Sequence, residues 1–329
     1  MKKIIFIITA ISLVASSAYA GDGDAGYAAP FLRNGVGARP LGMGGAYTAI
    51  SEGPEATYYN PAGLGFSQKV GISLSYKSMS LDRHIGHAAV AFPIRNEAAM
   101  AASWVNAGVS DIQGIGNSRQ SEGLVGNSSN AFALSFAKAI DSSISVGGSL
   151  RYQQEKLSTI DAFAIGMDLG VIVRPVKYVS TGAVVQNIGA TYRWDDGKYW
   201  ASGKTFDDPV PIVFKFGLAG HFFDGTLMPA VDFEKSNKMG ARFRAGAEYW
   251  FVRKASKSIE DEYEEGQFTT VYYNIKYAGL RLGIDRGSPT FGASYAIPFK
   301  ETSLAIEYAY LVGANGTDAG HLFTLKMGL

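Results

Sequence analysis

The chain has no cysteine anywhere in its 329 residues. Disulfides are therefore excluded, and so is a lipid anchor carried by a cysteine behind a leader cleavage site. Histidine is almost as scarce, with four residues, too few to mark a metal site. Net charge is nearly absent, 30 basic against 29 acidic residues, and no basic stripe concentrates the positive half. That argues against a nucleic-acid surface. Beyond the first twenty residues no window holds eighteen apolar residues in a row, so helical membrane spans are excluded. What the chain does hold is hydrophobic bulk: 47% hydrophobic residues, with 18 Tyr and 19 Phe. Such a content needs a membrane or a large core to cover it.

The first twenty residues read as a secretory leader. Lys2 and Lys3 form its basic start, Ile4 to Val14 its apolar run, and Ala18-Tyr19-Ala20 a small-x-small cleavage site. The apolar run is too short to span a bilayer as a helix. Export with cleavage after Ala20 is the expectation.

From Val70 onward the pattern has period two, which sends alternate side chains to opposite faces of a strand. Phe214, Phe216 and Leu218 share one face, with Lys215, Gly217 and Ala219 on the other. Phe243, Ala245, Ala247, Tyr249 and Phe251 oppose Arg242, Arg244, Gly246, Glu248 and Trp250. Apolar-out and polar-or-small-in, over segments of about ten residues with aromatics at the ends, is the transmembrane β-barrel pattern. Fourteen such segments are expected, near 70–78, 86–93, 98–110, 130–138, 143–154, 162–174, 179–190, 211–222, 226–234, 241–252, 270–285, 290–298, 302–311 and 320–329. An even count puts both ends of the barrel chain on one side. The long connections Asp111–Ser129 and Thr191–Pro209 then fall on the opposite, extracellular side. One connection departs from this parity: Arg253–Thr269 is long, rich in Glu and Asp, and reads either as a solvated acidic loop on the periplasmic side or as a periplasmic insertion that docks a partner. The last segment, His321–Leu329, should pair with the first to close the barrel, because an open edge in lipid leaves backbone groups unsatisfied.

The inward positions are charged and balanced. Arg151, Lys215, Arg242, Arg244, Arg281 and Lys326 face Asp168, Asp232, Glu234, Glu248, Asp285 and Glu307. Opposite charges inside a narrow lumen should pair, since unpaired buried charge is costly. Small inward residues, among them Gly147, Gly166, Gly170, Gly217, Gly246 and Gly283, leave room for something to sit inside. A glycine-dense stretch, Gly35–Gly65, supplies a candidate occupant. It reads as one short helical turn, with Pro54 at the start and Pro61 at the exit, where the residue before a proline leaves the α region. The expected organisation is leader 1–20, an N-terminal plug 21–68 and a barrel 69–329. In the plug, Glu52, Pro54, Glu55, Tyr59, Asn60, Pro61 and Ala62 are the candidate gating residues. Glu52 and Glu55 would meet lumen arginines, Arg244 and Arg281 first, and Asn60 would cap or bond backbone at the helix exit.

Phe31-Leu32-Arg33, Gly35–Arg39, Leu41–Ala46 and Ala56–Ala62, taken in that order, resemble the PorV/PorQ branch of the FadL-like (OMPP1/FadL/TodX) outer-membrane proteins. Two departures are Ser51-Glu52-Gly53-Pro54, where an acidic pair is usual, and Tyr59, where tryptophan is common. The resemblance implies an outer-membrane barrel of a Gram-negative-type bacterium, with no enzymatic activity and no cofactor. Its implied neighbours are outer-membrane lipid, the barrel assembly machinery, secretion-system or cargo proteins in type IX secretion, or a hydrophobic small molecule. Three functions follow: cargo handling in secretion, FadL-like uptake of long-chain fatty acids or other hydrophobic molecules, and a purely structural outer-membrane role.

Sharper motifs fail. The run ending in Gly203-Lys204-Thr205 misses the phosphate-loop spacing by one residue and has no strand-loop-helix context. It reads instead as an aromatic loop carrying Trp194, Tyr199 and Trp200. Gly42, Gly44 and Gly45 precede no helix, so they make no dinucleotide site. Asp82, His84 and His87 read as a solvated loop rather than a zinc site, and His221 faces inward with no evident nucleophile.

Overall fold

The computed structural model describes residues 26–95, 97–115, 121–158, 160–197, 202–260, 268–299, 302–313 and 319–328. The leader expected over residues 1–20 lies outside them. Fourteen strands close into an antiparallel barrel. They are β1 (Gly71–Ser78), β2 (Arg83–Ile94), β3 (Ala98–Ile115), β4 (Ser121–Ala139), β5 (Ile144–Leu157), β6 (Ile160–Val176) and β7 (Val179–Ile188). After the hairpin strands β8 (Thr191–Asp195) and β9 (Thr205–Pro209) come β10 (Val213–Gly220), β11 (Leu227–Ser236), β12 (Ala241–Glu260), β13 (Phe268–Asp285), β14 (Ser288–Phe299), β15 (Thr302–Leu311) and β16 (Gly320–Gly328). All fourteen expected segments are barrel strands. β16 pairs with β1 from Gly71↔Gly328 to Ser78↔His321 and closes the ring, as the last segment was expected to do.

The strand ends define two mouths. At the turn-side mouth short connections join the strands, such as Lys177-Tyr178 between β6 and β7. At the loop-side mouth lie the hairpin β8–β9 and the tight turn Arg286-Gly287. Both residues of that turn have positive φ, 52° and 78°, the geometry that matches the twist of two antiparallel strands.

Three connections depart from the sequence reading. The stretch Asp111–Ser129, expected as a loop, is largely β-ribbon, since β3 and β4 stay paired out to Ile115↔Ser121. Arg253–Thr269 likewise has a ribbon stem, with β12 and β13 paired from Val252↔Lys276 to Glu260↔Phe268 after a bulge at Phe251/Val252. Its acidic tip, 261–267, lies outside the described residues. Thr191–Pro209 is not a plain loop either but holds β8–β9, because Tyr192 and Trp194 alternate inward into a buried cluster at the loop-side mouth.

The alternation places lipid-type side chains outside. Phe214, Phe216 and Leu218 of β10 are about half exposed, while the alternating Gly217 and Ala219 are buried. Outward aromatic residues pair across strands, for example Phe233 with Phe243 at 5.0 Å between ring centroids. Because Phe216 lies in the middle of β10 on the outer face, Phe216→Arg should cost about 2–4 kcal/mol in lipid. Urea-gradient unfolding from lipid vesicles reads this cost. The same arginine placed at the exposed loop residue Lys238 should leave the midpoint unchanged.

Candidate functional site

The lumen is occupied by the chain's own N-terminal segment. Ala28–Arg33 stand at the loop-side mouth, beside Val210, Pro211 and Met239. From there the segment passes through the barrel to Glu52 at the turn-side mouth, beside Arg174 and His221. It turns at Gly53–Glu55, climbs through the short helix Ala56–Tyr59, and descends again through the turn helix Pro61–Phe66 to β1. Asn60 between them is extended (φ −156°, ψ 105°), as the residue before a proline must be.

Three kinds of contact seat this segment. The first is close backbone approach. A Cβ on Gly283 would strike the Gly44 nitrogen, and one on Gly170 would strike the Asn60 side chain. Gly147, Gly217 and Gly246 face the segment in the same way, whereas Gly166 faces Ala190 instead. The second is capture of orphan backbone groups. Asp232 accepts hydrogen bonds from the Tyr47 and Thr48 N–H groups at 3.0 and 2.9 Å and from the Thr48 hydroxyl at 2.6 Å. Gln186 donates to the Tyr58 carbonyl at 2.8 Å, and Ser145 to that of Ala62 at 2.6 Å. Asn60 is fully buried and serves three segments together. Its Nδ2 donates to the carbonyls of Thr48 and Val171 at 3.0 and 3.2 Å, and its Oδ1 accepts from the Ala62 N–H at 3.2 Å. The phenol of Tyr58 donates to the Leu32 carbonyl at 2.5 Å, and that of Tyr59 to Val36 at 2.8 Å. Burial pushes the Tyr58 phenol up to about 12, so it stays protonated and keeps donating.

The third contact is an alternating ladder of charge. Arg39 pairs with Glu52 and forks onto both oxygens of Glu248 at 2.8 Å each. Glu248 also takes Arg281 at 2.6 Å. Arg281 reaches Glu307 at 3.9 Å, Glu307 meets Lys326 at 3.3 Å, and Lys326 meets Glu55 at 2.8 Å. The ladder thus begins and ends on the plug, at the two glutamates flanking Gly53-Pro54. A bidentate arginine–carboxylate pair is among the stronger ones available inside a protein. This corrects the expected partners. Arg244 and Arg281 do not meet Glu52 and Glu55, because each is already engaged on the wall: Arg244 binds Glu234 at 2.6 Å and Asp285 at 3.1 Å, and Arg281 binds Glu248. Glu234 also gathers Lys215 at 3.6 Å and Arg242 at 3.3 Å, and Arg151 binds Asp168 at 2.5 Å. Arg39, inside the glycine motif itself, was not singled out from the sequence. Its one signal was to be the lone charged residue of the run Gly35–Ala49.

Other motif residues separate. His84 stacks on the Tyr76 ring, whereas His87, on the opposite face of β2, is buried. Among the described residues no cluster of three metal-ligating side chains exists. Trp194 is buried against Tyr192, while Tyr199 and Trp200 lie outside the described residues. His221 does have a hydroxyl partner, Ser180 at 3.0 Å. Ser180 is only 1% exposed, so its oxygen is closed to any substrate.

The internal cavity, between the plug and residues such as Arg151, Glu234 and Arg244, is about 40 Å³, room for water and not for a lipid. The larger apolar hollow is in the outer wall, about 610 Å³ over Gly86 and Ala88, rimmed by Leu74, Tyr76, Trp104 and Phe323.

Fold and lumen together define a plugged fourteen-stranded antiparallel barrel. No protein-family model matches the chain, and no curated protein sequence matches it. Solved structures do. The Pseudomonas putida toluene transporter TodX is similar with a TM-score of 0.58 and 13% identity, over 89% of this chain and 97% of that one. A Pseudomonas aeruginosa FadL homologue is similar with a TM-score of 0.56 and 11% identity, over 89% and 98%. The likeness is one of fold.

Proposed function

We propose that the protein is a non-enzymatic outer-membrane barrel that handles hydrophobic molecules under control of its plug. The observation that carries this reading is the contrast between the packed lumen and the apolar hollow in the wall. The cavity beside the seated plug, about 40 Å³, has room for water and none for a hydrophobic solute. The wall hollow over Gly86 offers about 610 Å³ lined by outward apolar side chains and by the buried Ser75, His87 and Thr324, within the range of small-molecule pockets. The names of the similar structures, a toluene transporter and a FadL homologue, fit the same reading. Plug movement would then connect the wall hollow with the lumen.

Asn60 is the residue on which to test it. Asn60→Ala removes the Nδ2 bonds to Thr48 and Val171 and leaves buried carbonyls unpaired, a loss of about 1–3 kcal/mol per group. Barrel assembly, read as heat-modifiable migration in electrophoresis, should be unchanged. Single-channel current in planar bilayers and fatty-acid or toluene uptake by cells should both rise or fall together. Parent-like values in both assays would remove the gating role.

A second reading has its own support. Two β-ribbons project past the barrel, β3–β4 on the loop side and β12–β13 on the turn side. Such ribbons suit protein contacts, and with the resemblance of Phe31–Ala46 they favour a PorV-like role in cargo handling. Deleting 256–272 should then block secretion of cargo while leaving uptake intact.

A further inference from the structure

The turn-side mouth holds a recess of about 680 Å³ that the plug leaves open. Four fixed cations line it, Arg39, Arg174, Lys177 and Lys276, against two carboxylates, Glu52 and Asp224. Lys177 is paired with Asp224 at 3.1 Å on the exposed rim. Arg39 is shared between Glu52 and Glu248. Arg174 and Lys276 have no ion-pair partner among the described residues.

Both of these cations rest on aromatic rings instead. The Arg174 guanidinium lies 3.7 Å from the centroid of Phe66, the last residue of the plug helix, and the Lys276 ammonium 5.8 Å from that of Trp250. A ring face attracts a cation without neutralising it, so both side chains keep their full positive charge beside the recess. Glu52 already shows what fits. Its side chain is 57% exposed to this recess and acts as a built-in anion on Arg39.

We infer that the recess is a site for an oxyanion, phosphate or carboxylate, held by Arg174 and Lys276 and competing with Glu52 for Arg39. Occupation frees the end of the plug that the Arg39–Glu52 pair fastens. The inference is independent of what the barrel carries, since it concerns the charge left over at one mouth.

The full chain in phosphatidylcholine nanodiscs, titrated calorimetrically with sodium pyrophosphate and separately with citrate at low ionic strength, tests it. Saturable one-site binding that weakens with added salt is expected for at least one probe. Loss of both cations in the R174Q/K276Q variant should weaken it about tenfold or more, the scale of one charge-assisted contact. E52Q should bind more tightly, a gain that misfolding cannot produce, and K238Q, an exposed loop lysine at the opposite mouth, should bind like the parent. Nanodiscs containing phosphatidylglycerol distinguish the sources. More phosphatidylglycerol co-purifying with the parent than with R174Q/K276Q, read by lipid mass spectrometry, identifies a lipid headgroup as occupant, and equal amounts a soluble anion. No saturable binding of either probe, or parent-like affinity in R174Q/K276Q, overturns the site.

Discussion

Glu248→Ala should be the most damaging single change in the lumen, costing about 3–5 kcal/mol of plug seating. Glu248 is fully buried and carries two arginines, Arg39 from the plug and Arg281 from β13. Removing it leaves two buried guanidinium groups sharing the remaining carboxylates Glu52 and Glu307, the latter 3.9 Å from Arg281. The wall can tolerate this only by letting Arg39 leave, which carries the plug with it. The expected results are protease cleavage within residues 35–60 of folded, heat-modifiable protein and long-lived open events in planar bilayers. Glu248→Gln keeps some hydrogen bonding and should fall between. Parent-like protease resistance in Glu248→Ala would mean the ladder contributes nothing to holding the plug.

Gly283→Val attacks the same docking without touching a charge. The backbone of β13 there runs directly against Met43 and Gly44, and a Cβ has no space. A valine side chain must displace the plug or push β13 outward, and overpacking of this kind costs about 1–3 kcal/mol, occasionally more. Since β13 is paired on both sides, the plug should yield first. Channel opening comparable to that of Glu248→Ala, with β-sheet circular dichroism intact, is expected. Gly287→Val, in the β13–β14 turn with φ of 78°, should instead impair folding through backbone strain, with no gain of current. If Gly283→Val stays closed, the glycine seat is not what positions the plug.

The barrel was legible because lipid on one side and plug on the other impose a strict period of two. Where that two-sided contrast ends, so does the sequence signal. Beyond the bulge at Phe251/Val252, the residues Arg253, Lys254 and Ser256 are all exposed, so pairing continues without alternation and the ribbon passes for a loop. The plug could be recognised from its glycines and from Asn60-Pro61-Ala62, yet its partners could not. Which cation reaches Glu52 depends on how the segment folds back inside the lumen. Arg39, thirteen residues earlier on the same segment, arrives before any wall arginine. The Ser180–His221 bond was hidden for a similar reason, since forty-one residues separate two positions that strand register brings together.

The joint between β1 and β16 has a bearing on the order in which the molecule is made. β16 supplies the Thr324 hydroxyl that accepts from the Ala38 N–H at 2.9 Å and the Lys326 ammonium on Glu55, and β1 supplies the Ser73 hydroxyl that donates to Glu55 at 2.9 Å. The two strands at the joint therefore both grip the plug. A ring closed beforehand would have to admit Arg39, Glu52 and Glu55 through a narrow mouth, stripped of water and not yet paired. A ring that wraps around the segment matches each charge as its strand arrives. Closing the wall and seating the plug thus draw on the same side chains, Ser73, Thr324 and Lys326, so neither is complete without the other.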